Sequence, residues 1–474
     1  MIEKVKLTLS PFDIYSRLHC SSYSFFLDSA LESKKLGNFS FIGIEPFLVF
    51  KSKKDHITLE WPSKKETFRG NPFVTLKELF EEFKIHRKES ALPFTGGGVG
   101  YFAYDLKDFN ESLPDTTEDD LNAPDCVMCF YDSILAFDHF KEQYFIASTG
   151  FPEKGRKRAL RQKARLEGLK NKILNLQPSN FDLQPSACRP QLKSNFTKTQ
   201  YIEAVKKAKK YIEKGDIYQV NLSQRFSVKL ENENAFNLYG ILRNINPAPF
   251  ASFLNFGNVK IASASPERFI KKQGSHIETR PIKGTRPRHR DPSIDARLRN
   301  ELVKSVKDRA ENLMIIDLER NDLGRISEYG SVRVTEFMKT EKYATVHHLV
   351  STVESRAGKN ITPIDCLTNC FPGGSITGAP KIRSMEIIEE LEPVKRSVYT
   401  GSIGYIGFDG NMDTSIVIRT ILVKDDTAYF HVGGGIVYDS LPEKEYQETL
   451  DKAKALIDAI HSIPQQKIYS LKES

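Results

Sequence analysis

The sequence predicts a fold of the α/β (α+β) class. Short runs rich in aromatic and β-branched residues, bounded by Gly, Pro and Asn, indicate strands. Longer segments with apolar residues spaced three and four apart indicate helices. The composition, 39% hydrophobic and 27% charged, is that of ordinary globular proteins. A length of 474 residues allows two to four domains, or one large core with two lobes.

Cysteine usage and hydropathy predict a reduced, cytosolic protein. No apolar run approaches the ~20 residues that a membrane helix needs, and residues 1–6 lack the pattern of a signal peptide. The six cysteines are scattered along the chain. Cys126 and Cys129 form a lone C-x-x-C in a strand-like run, and Cys366 and Cys370 are one helical turn apart. We expect core packing at both places rather than a zinc site.

A net charge of +8 raises the question of nucleic-acid binding. Much of the excess lies in residues 154–172, where Lys and Arg alternate with Leu160, Leu166, Leu169 and Ile173 at helical spacing. This pattern is typical of the solvated face of an amphipathic helix. The segment also lacks the aromatic residues that stack on bases, so we expect no nucleic-acid partner.

Residues 1–176 are expected to form an N-terminal region rich in strands. Two strand-like runs within residues 39–50 are separated by a predicted turn at Glu45-Pro46. Residues 96–102 form a glycine-rich strand, in which glycine indicates a close backbone approach rather than a phosphate loop. After the basic helix, residues 177–195 are rich in Pro, Ser, Asn and Gln and are the predicted linker.

Residues 196–465 are expected to form the C-terminal domain. It opens with a helix that Thr197 caps, with Gln200 completing a capping box. A long helix over residues 293–312 is predicted to lead into a buried strand at 313–316. The other predicted strands are residues 218–226, 260–264, 401–408, 415–423 and 428–432, with a hairpin turn at Asp409-Gly410.

The last predicted helix places two carboxylates beside a lysine. Ser440 is its predicted N-cap, followed by Pro442 and a capping-box Glu443. Glu445, Glu448 and Lys452 lie together, away from the apolar stripe. They are either a solvated face with an ion pair or a carboxylate pair aimed at a cleft. The stripe consists of Tyr446, Leu450, Ala453, Ile457 and Ile460.

A third carboxylate, Glu311, is predicted near the C-terminal end of the helix over residues 293–312. The helix dipole disfavours an anion there, so Arg309 or a bound cation is expected to compensate. Carboxylates on separate elements, such as Glu311, Glu445 and Glu448, suit Mg²⁺, which prefers hard oxygen ligands.

Two glycine-rich segments and one arginine indicate anion binding. Residues 372–381 form a glycine-rich loop that enters a helix at Pro380, and residues 433–435 follow a strand. Backbone N–H groups at such places bind carboxylates, although a tight structural turn explains each segment equally well. Arg419 lies in the middle of a predicted apolar strand, where a buried guanidinium needs an anionic partner.

Lys283 is the candidate nucleophile. It follows Ile282 and precedes Gly284, and Arg280, Arg286 and Arg288 lie close in sequence. Cationic neighbours and partial burial lower the pKa of a lysine and make it nucleophilic. The alternative is a surface lysine on a basic loop.

Together these motifs resemble the chorismate-utilising enzymes, which include anthranilate synthase component I, aminodeoxychorismate synthase component I, isochorismate synthase and salicylate synthase. The resemblance implies a two-lobed sandwich of the anthranilate synthase component I type, with large, mostly antiparallel sheets, outer helices and an active site in the cleft. The matching residues are 215–226, 265–269, 281–285, 311–325, 346–351, 372–381, 433–435 and 445–449, with looser matches at 39–43 and 96–105.

Two positions indicate aminodeoxychorismate synthase component I within this family. Isochorismate and salicylate synthases resemble each other in having a water-activating lysine where this chain has Gln219, which favours an ammonia user. Anthranilate synthase has alanine where this chain has Lys283. The alternatives are anthranilate synthase component I and, from another class, a non-catalytic amidotransferase-binding subunit.

The resemblance also implies residue roles for a conversion of chorismate and ammonia to 4-amino-4-deoxychorismate, a precursor of para-aminobenzoate and folate. Lys283 would attack the ring and Glu267 would move protons, and His348 matches a histidine tied to pyruvate loss in anthranilate synthase. Glu311, Glu445 and Glu448 would hold Mg²⁺. The implied substrate-binding residues are Gly284, Thr285, Thr377, Tyr399, Arg419, Gly433, Gly434, Gly435 and Lys452.

The implied partners are chorismate, a glutamine amidotransferase subunit and tryptophan. The chain contains no G-x-C-x-G glutaminase elbow, so ammonia is expected from a separate subunit or from solution. Family members have a tryptophan pocket between their sheets, and Ser29, Pro249, Phe250 and Ala251 match it. The run Leu27-Asp28-Ser29 departs from the L-L-E-S of that pocket.

Overall fold

Strands from both ends of the chain build the fold. The computed structural model describes residues 1–31, 36–85, 90–176, 190–230, 235–343 and 346–463. In these ranges the strands are β1 (Ile2–Val5), β2 (Ser24–Asp28), β3 (Phe39–Gly43), β4 (Leu48–Lys53), β5 (His56–Glu60), β6 (Lys65–Arg69), β7 (Gly97–Phe102), β8 (Cys126–Tyr131), β9 (Ser133–Asp138), β10 (Gln143–Ser148), β11 (Lys193–Ser194), β12 (Gln219–Lys229), β13 (Phe250–Phe256), β14 (Val259–Ser265), β15 (Arg268–Gln273), β16 (His276–Arg280), β17 (Ile282–Pro287), β18 (Arg333–Lys342), β19 (Val346–Arg356), β20 (Gly378–Ala379), β21 (Ser402–Gly407), β22 (Met412–Ile416), β23 (Thr420–Lys424) and β24 (Thr427–Ile436).

Helices cover the strands from outside. They are α1 (Pro11–Tyr15), α2 (Pro72–Glu82), α3 (Gly155–Leu174), α4 (Lys198–Glu213), α5 (Ala235–Ile245), α6 (Pro292–Lys304), α7 (Val306–Gly324), α8 (Pro363–Cys370), α9 (Lys381–Leu391) and α10 (Pro442–His461), with 3-10 turns at Tyr104–Phe109 and Gly374–Ile376. None of the helices in the described ranges is both long enough and apolar enough to cross a membrane.

The strands form two 12-stranded antiparallel sheets. The first has the order β1-β10-β9-β3-β2-β13-β14-β23-β24-β12-β11, with β20 paired to β12. The second has the order β17-β19-β16-β15-β22-β21-β7-β8-β4-β5-β6, with β18 paired to β19. The predicted class and the large antiparallel sheets with outer helices are confirmed. Each sheet contains strands from both ends of the chain, joined at β2–β13 and at β7–β21.

The apolar cores explain how the sheets stack. One core lies between the sheets and combines Phe25 and Phe41 of the first with Val99 and Tyr101 of the second. A second core lies between the first sheet and helices α3, α5 and α10, and a third lies between the second sheet and α2, α7 and α8. Each sheet is therefore buried on both faces over much of its area.

Several predicted elements are confirmed. The predicted basic helix is α3, in which Leu166, Leu169 and Ile173 are buried while Leu160 is exposed. Thr197 and Gln200 form the predicted capping box of α4. The glycine-rich strand β7 approaches β8 closely, since a Cβ on Gly100 would lie 1.9 Å from the Val127 carbonyl oxygen. Residues 177–189 of the predicted linker lie outside the described residues.

The predicted helix over residues 293–312 and the strand at 313–316 are wrong. The chain forms two helices, α6 and α7, which meet at Ser305. Ser305 has an extended backbone, and its Oγ accepts the Asp308 N–H bond, so it caps a new helix. The apolar run at 313–316 is part of α7. Ile315 and Ile316 face the core while Leu313 is exposed, and a run of four apolar residues does not reveal this helical pattern.

The predicted strand over residues 415–423 is also wrong, because the chain leaves one sheet and enters the other within it. β22 belongs to the second sheet and β23 to the first. Arg419 lies in the crossing with φ of +50°, and its carbonyl accepts the Ala264 N–H bond. Arg419 is therefore at a bend between sheets and not in the middle of a strand.

The start of α10 differs from the prediction. The N-cap is Leu441, with no side-chain cap, and the Ser440 Oγ instead accepts the Val437 N–H bond. The glycines at 433–435 also lie inside β24 and do not follow it. They pair with β12, where they form part of the cleft wall described below.

Candidate active site

A β-bulge presents Lys283. Strand β17 pairs with β19, and the register shifts between Ile282 and Thr285, so that Lys283 and Gly284 leave the regular ladder. Gly284 has φ of +85°, which glycine adopts without strain. Lys283 is half-buried, and it has no carboxylate partner within 4.0 Å among the described residues. The alternative of a surface lysine on a basic loop is excluded.

Burial lowers the pKa of Lys283, and Lys452 adds to this effect, while Glu311, Glu267 and Glu448 oppose it. The sequence predicted a different cause for the lowered pKa of Lys283. Three sequence neighbours were expected to act on Lys283, but they are engaged elsewhere: Arg280 with Glu336 and Glu341, Arg286 with Asp308, and Arg288 with Asp295.

Glu267 lies in the turn between β14 and β15 and is 5% exposed. Its Oε1 accepts hydrogen bonds from the Ser375 hydroxyl at 2.7 Å and from the Ile282 N–H group at 3.4 Å. Burial raises the pKa of Glu267, although Ser375 and Lys283 oppose the shift. Ile282 precedes Lys283, so a carboxyl of raised pKa and an amine of lowered pKa lie close together.

His348 and Arg419 lie on the same side of the cleft. His348 is opposite Thr285 in the sheet, with 2.8 Å between Nδ1 and Thr285 Oγ1. Burial, with Arg419 as the next cause, lowers the pKa of His348 to about 3, so the ring is neutral. Burial also lowers the pKa of Arg419, whose contact with Asn246 Oδ1 is 3.4 Å long. Arg419 is therefore a weakly paired cation facing Glu267 and His348.

The glycines of β24 form the opposite wall. A Cβ on Gly433 would lie 2.7 Å from the Leu222 carbonyl oxygen, and one on Gly435 would lie 2.8 Å from Gln219 Nε2. Gln219 is fully buried, and neither polar atom of its side chain has a hydrogen-bond partner in the described residues. A buried amide without partners is costly, so it indicates a place for a polar ligand.

Tyr399 stacks on His431 beside this wall. The ring centroids are 5.0 Å apart at an angle of 11°. Burial raises the pKa of Tyr399 to about 12, so its hydroxyl remains a hydrogen-bond donor at neutral pH. A Cβ on Gly433 would lie 3.0 Å from this hydroxyl, which therefore reaches the glycine wall.

Two of the three predicted metal carboxylates pair with Lys307. Its Nζ is 3.9 Å from Glu311 Oε1 and 3.5 Å from Glu445 Oε1. Glu448 instead pairs with Lys452 at 2.8 Å. Glu311 is in the second turn of α7, so its prediction at a helix C-terminus is wrong. The cation beside it is Lys307 and not Arg309, which is exposed.

The donor set fits a hard divalent cation. Glu445 is 4% exposed, and its Oε2 has no hydrogen-bond partner in the described residues. A Cβ on Gly434 would lie 3.5 Å from that oxygen and 3.3 Å from Glu448 Oε1, so glycine leaves space between the two carboxylates. No three His, Cys, Asp or Glu side chains of the described ranges form a ready-made metal site, so a metal would use additional oxygen atoms and displace Lys307.

The structure brings most predicted substrate-binding groups to this cleft, but one hydroxyl is committed elsewhere. Thr377 is fully buried, and its Oγ1 donates to the Gly373 carbonyl at 2.9 Å. It stabilises the glycine-rich loop from within. Lys452 donates to the Gly433 carbonyl at 2.8 Å and so ties α10 to the glycine wall.

The comparison with known families decides the family question. The description "chorismate binding enzyme" matches residues 27–458 of the chain. This chain belongs to the chorismate-binding enzyme family. The match includes both the bulge with Lys283 and the carboxylates of α7 and α10.

Relatives within the chorismate-binding family have two different names. Anthranilate synthase component 1 of Acetivibrio thermocellus is 41% identical over 458 residues, 95% of this chain and 92% of the relative. Aminodeoxychorismate synthase component 1 of Escherichia coli (strain K12) is 39% identical over 445 residues, 94% of each chain. The crystal structure of anthranilate synthase component I from Streptococcus pneumoniae TIGR4 has a TM-score of 0.80 at 33% identity, covering 96% of this chain and 100% of that chain.

Two residues of this chorismate-binding enzyme had no predicted role. Ser375 lies within the glycine-rich loop at residues 372–381. Its hydrogen bond to Glu267 joins residues 108 positions apart, so no local sequence pattern indicates it. Lys307 precedes Glu311 by four residues, a helical spacing that identifies an ion pair once the helix boundary at Ser305 is known.

A second cavity lies between the two sheets. It has a volume of about 690 Å³ and includes Ser29, Pro249, Phe250 and Ala251 in its lining, as the resemblance implies for the tryptophan pocket. Its other side is formed by β15, β21 and β22, including Arg268, the residue after Glu267. Tryptophan binding there stays a prediction.

Proposed function

We propose that this chain is the synthase subunit of an aminodeoxychorismate synthase, which converts chorismate and ammonia to 4-amino-4-deoxychorismate and water. The supporting observation is Lys283, a lysine of lowered pKa in a bulge, one residue from the Ile282 N–H group that bonds to Glu267. Anthranilate formation requires no nucleophile at this place.

In the proposed reaction, the neutral amine of Lys283 attacks C2 of the chorismate ring. The two ring double bonds shift by one position each, and the bond from C4 to its hydroxyl breaks. Glu267 donates its proton to the departing hydroxyl, which leaves as water. Ammonia then attacks C4, the double bonds return, and Lys283 leaves C2. Glu267 accepts the surplus proton, and the enolpyruvyl ether remains intact.

Glu267 suits this proton transfer. Burial raises its pKa, which favours the protonated carboxyl, and the Ser375 hydrogen bond fixes one of its oxygens. General acids are effective when their pKa lies near the working pH. Lys283 needs the opposite shift, because only its unprotonated amine is nucleophilic, and burial supplies that shift.

We propose that the glycine wall and the cations around it hold chorismate, which has two carboxylates. Arg419 and Lys452 supply positive charge, and the glycines of β24 allow the ring to approach the backbone. Mg²⁺ held by Glu311, Glu445 and Glu448, when bound, supplies positive charge that orients and polarises the ring carboxylate. The orphaned Oε2 of Glu445 supports this assignment.

Ammonia is proposed to come from a separate glutamine amidotransferase subunit, because the chain has no glutaminase elbow. The product would then serve para-aminobenzoate and folate synthesis. His348, whose ring is neutral, is proposed to assist substrate positioning through Thr285, since this product keeps its enolpyruvyl group.

Anthranilate synthase component I is the second candidate, favoured by the 41% identity to the Acetivibrio thermocellus relative. In that case ammonia would attack C2 directly, pyruvate would be lost, and Lys283 would take no part in the reaction. His348 would then lie beside the departing group.

Product identity separates the two candidates. The purified chain is incubated with chorismate, Mg²⁺ and ammonium at alkaline pH, and the product is identified by mass and fluorescence. We expect 4-amino-4-deoxychorismate, which retains the enolpyruvyl group. Anthranilate as the main product would contradict the proposal, and chorismate that binds without turnover would indicate a non-catalytic subunit.

A further inference from the structure

A pair of buried carboxyl groups lies behind Glu267. Glu319 and Asp322 are one turn apart on α7, and each is 4% exposed. Lys381, the first residue of α9, donates to Asp322 Oδ2 at 2.5 Å and to the Cys370 carbonyl at 3.2 Å. Asp322 therefore has a cationic partner, whereas Glu319 has none within 4.0 Å among the described residues.

The contacts of Glu319 lead to Glu267 through the glycine-rich loop. Thr279 Oγ1 donates to Glu319 Oε2 at 3.3 Å. Gly374 lies against the same carboxyl, since a Cβ on Gly374 would be 3.4 Å from Oε1. The next residue, Ser375, donates to Glu267 Oε1 at 2.7 Å. One peptide unit thus separates the residue that Glu319 contacts from the residue that holds Glu267.

The loop has little space in which to move. A Cβ on Gly373 would lie 2.9 Å from Ile416 Cδ1, and one on Gly374 would lie 3.1 Å from Leu318 Cβ. The loop is therefore clamped between the end of β22 and helix α7. Because closely packed interiors transmit displacement, a change at the Glu319 carboxyl reaches the Ser375 hydroxyl.

We propose that Glu319 is a positioning residue for Glu267, which acts through the Gly374–Ser375 main chain to hold the Ser375 hydroxyl on Glu267 Oε1. The inference rests on the proton transfer by Glu267 in the proposed function. It assigns a role to a carboxyl group that does not touch the substrate.

The charged state of Glu319 makes this role testable. Burial, followed by the neighbouring Asp322, raises the pKa of Glu319 to about 8. The titratable groups facing it are Asp322 on the same helix, Lys381 on α9, Glu267 on the β14–β15 turn and Cys370 at the end of α8. Below pH 8 the carboxyl is neutral. Above it, a new anion opposes proton loss from Glu267, so the unchanged chain keeps this acid protonated to a higher pH than a chain without the anion.

Chorismate consumption by Glu319→Gln and by the unchanged chain is compared between pH 6.5 and 9.5 at constant free ammonia. Glutamine keeps one of the two carboxyl oxygens as an acceptor and cannot ionise. We expect the ratio of kcat/KM, variant over unchanged chain, to be within about threefold of one below pH 7 and to fall about tenfold by pH 9. Taking this ratio cancels the shared titration of Lys283.

Glu319→Ala removes the acceptor, and we expect it to lower kcat/KM about tenfold or more at every pH. Glu389→Gln is the matched control, because Glu389 is another buried carboxyl, bonded to Thr117 and Lys395. It should lower Tm and leave the pH dependence unchanged.

A flat pH ratio for Glu319→Gln would overturn the positioning role, as would a folded Glu319→Ala chain within twofold of the unchanged rate. If the alanine variant fails to fold, the glutamine ratio alone decides. Because chorismate loss is measured, anthranilate as product would overturn the proposed function and leave this test valid.

Discussion

At the scale of single residues, the cleft combines an amine and a carboxyl with opposite pKa shifts. Burial lowers the pKa of Lys283 and raises the pKa of Glu267, so both tend towards the neutral forms that the proposed attack needs. The residue types were predictable from the sequence. Their environment was not, since the arginines around Lys283 pair with acids elsewhere and Ser375 reaches Glu267 from a distant loop.

Replacing Lys283 tests its nucleophilic role. With chorismate and Mg²⁺ but no ammonia, the unchanged chain should gain the mass of chorismate minus water, measured by intact-protein mass spectrometry after rapid quenching. Lys283→Ala should lose this adduct and about 10²-fold or more in rate. Lys283→Arg places a cationic side chain of similar length there, which is not nucleophilic, and should lose the adduct as well. An unchanged rate in the alanine variant would refute covalent catalysis.

At the scale of elements, the antiparallel pair β12–β24 forms a wall because its glycines lack side chains. Gly433 and Gly434 are neighbours, yet their missing Cβ atoms have different surroundings. A Cβ on Gly433 would meet the Leu222 carbonyl at 2.7 Å, whereas one on Gly434 would point between Glu445 and Glu448. The first glycine is needed for strand pairing, and the second leaves space at the carboxylates.

Alanine substitution separates these two roles. Gly434→Ala should fold with a Tm close to that of the unchanged chain, but should lose about tenfold in kcat/KM and need more Mg²⁺, because its methyl group narrows the carboxylate site. Gly433→Ala is the control and should lower Tm, because backbone atoms cannot yield easily. Thermal unfolding and Mg²⁺ titration of the rate measure both effects. Equal Mg²⁺ dependence in the unchanged and Gly434→Ala chains would contradict this assignment.

The elements also show where sequence patterns stop being informative. Capping chemistry at Thr197 and the apolar spacing of α3 are local, and both were predicted correctly. The apolar run at 313–316 fits a strand as well as a helix, because four residues are too few to show a period. The run at 415–423 has apolar residues on both sides of Arg419 because both sheets are buried, so hydropathy does not show where the chain crosses from one sheet to the other.

At the scale of the whole molecule, burial fixes the protonation of two histidines. Burial lowers the pKa of His348 to about 3, and it lowers the pKa of His431 as well. Nε2 of each ring has no hydrogen-bond partner in the described residues. In the unfolded chain both rings titrate near pH 6.5. The unfolded state therefore binds more protons than the native state as the pH falls below 6.5.

Stability should therefore fall with acid. The free energy of unfolding should be nearly constant for these groups above pH 7 and decrease below pH 6.5, by up to about 1.4 kcal/mol per pH unit for each histidine. Urea unfolding at pH 8.0, 6.0 and 5.0 measures the slope. His431→Asn should reduce the slope by about half of the two-histidine contribution, and an unchanged slope in that variant would contradict the assignment.

The joins between β2 and β13 and between β7 and β21 have a consequence for the chain as it is synthesised. β7 is complete roughly 300 residues before β21, and at about 5–20 residues per second its free edge waits about 15–60 s for its partner. An unpaired, buried-type strand is a template for wrong pairing during that time. The edge of β7 that pairs with β21 therefore stays open until the late half of the chain has been synthesised. We expect chaperones to bind the nascent chain during this time.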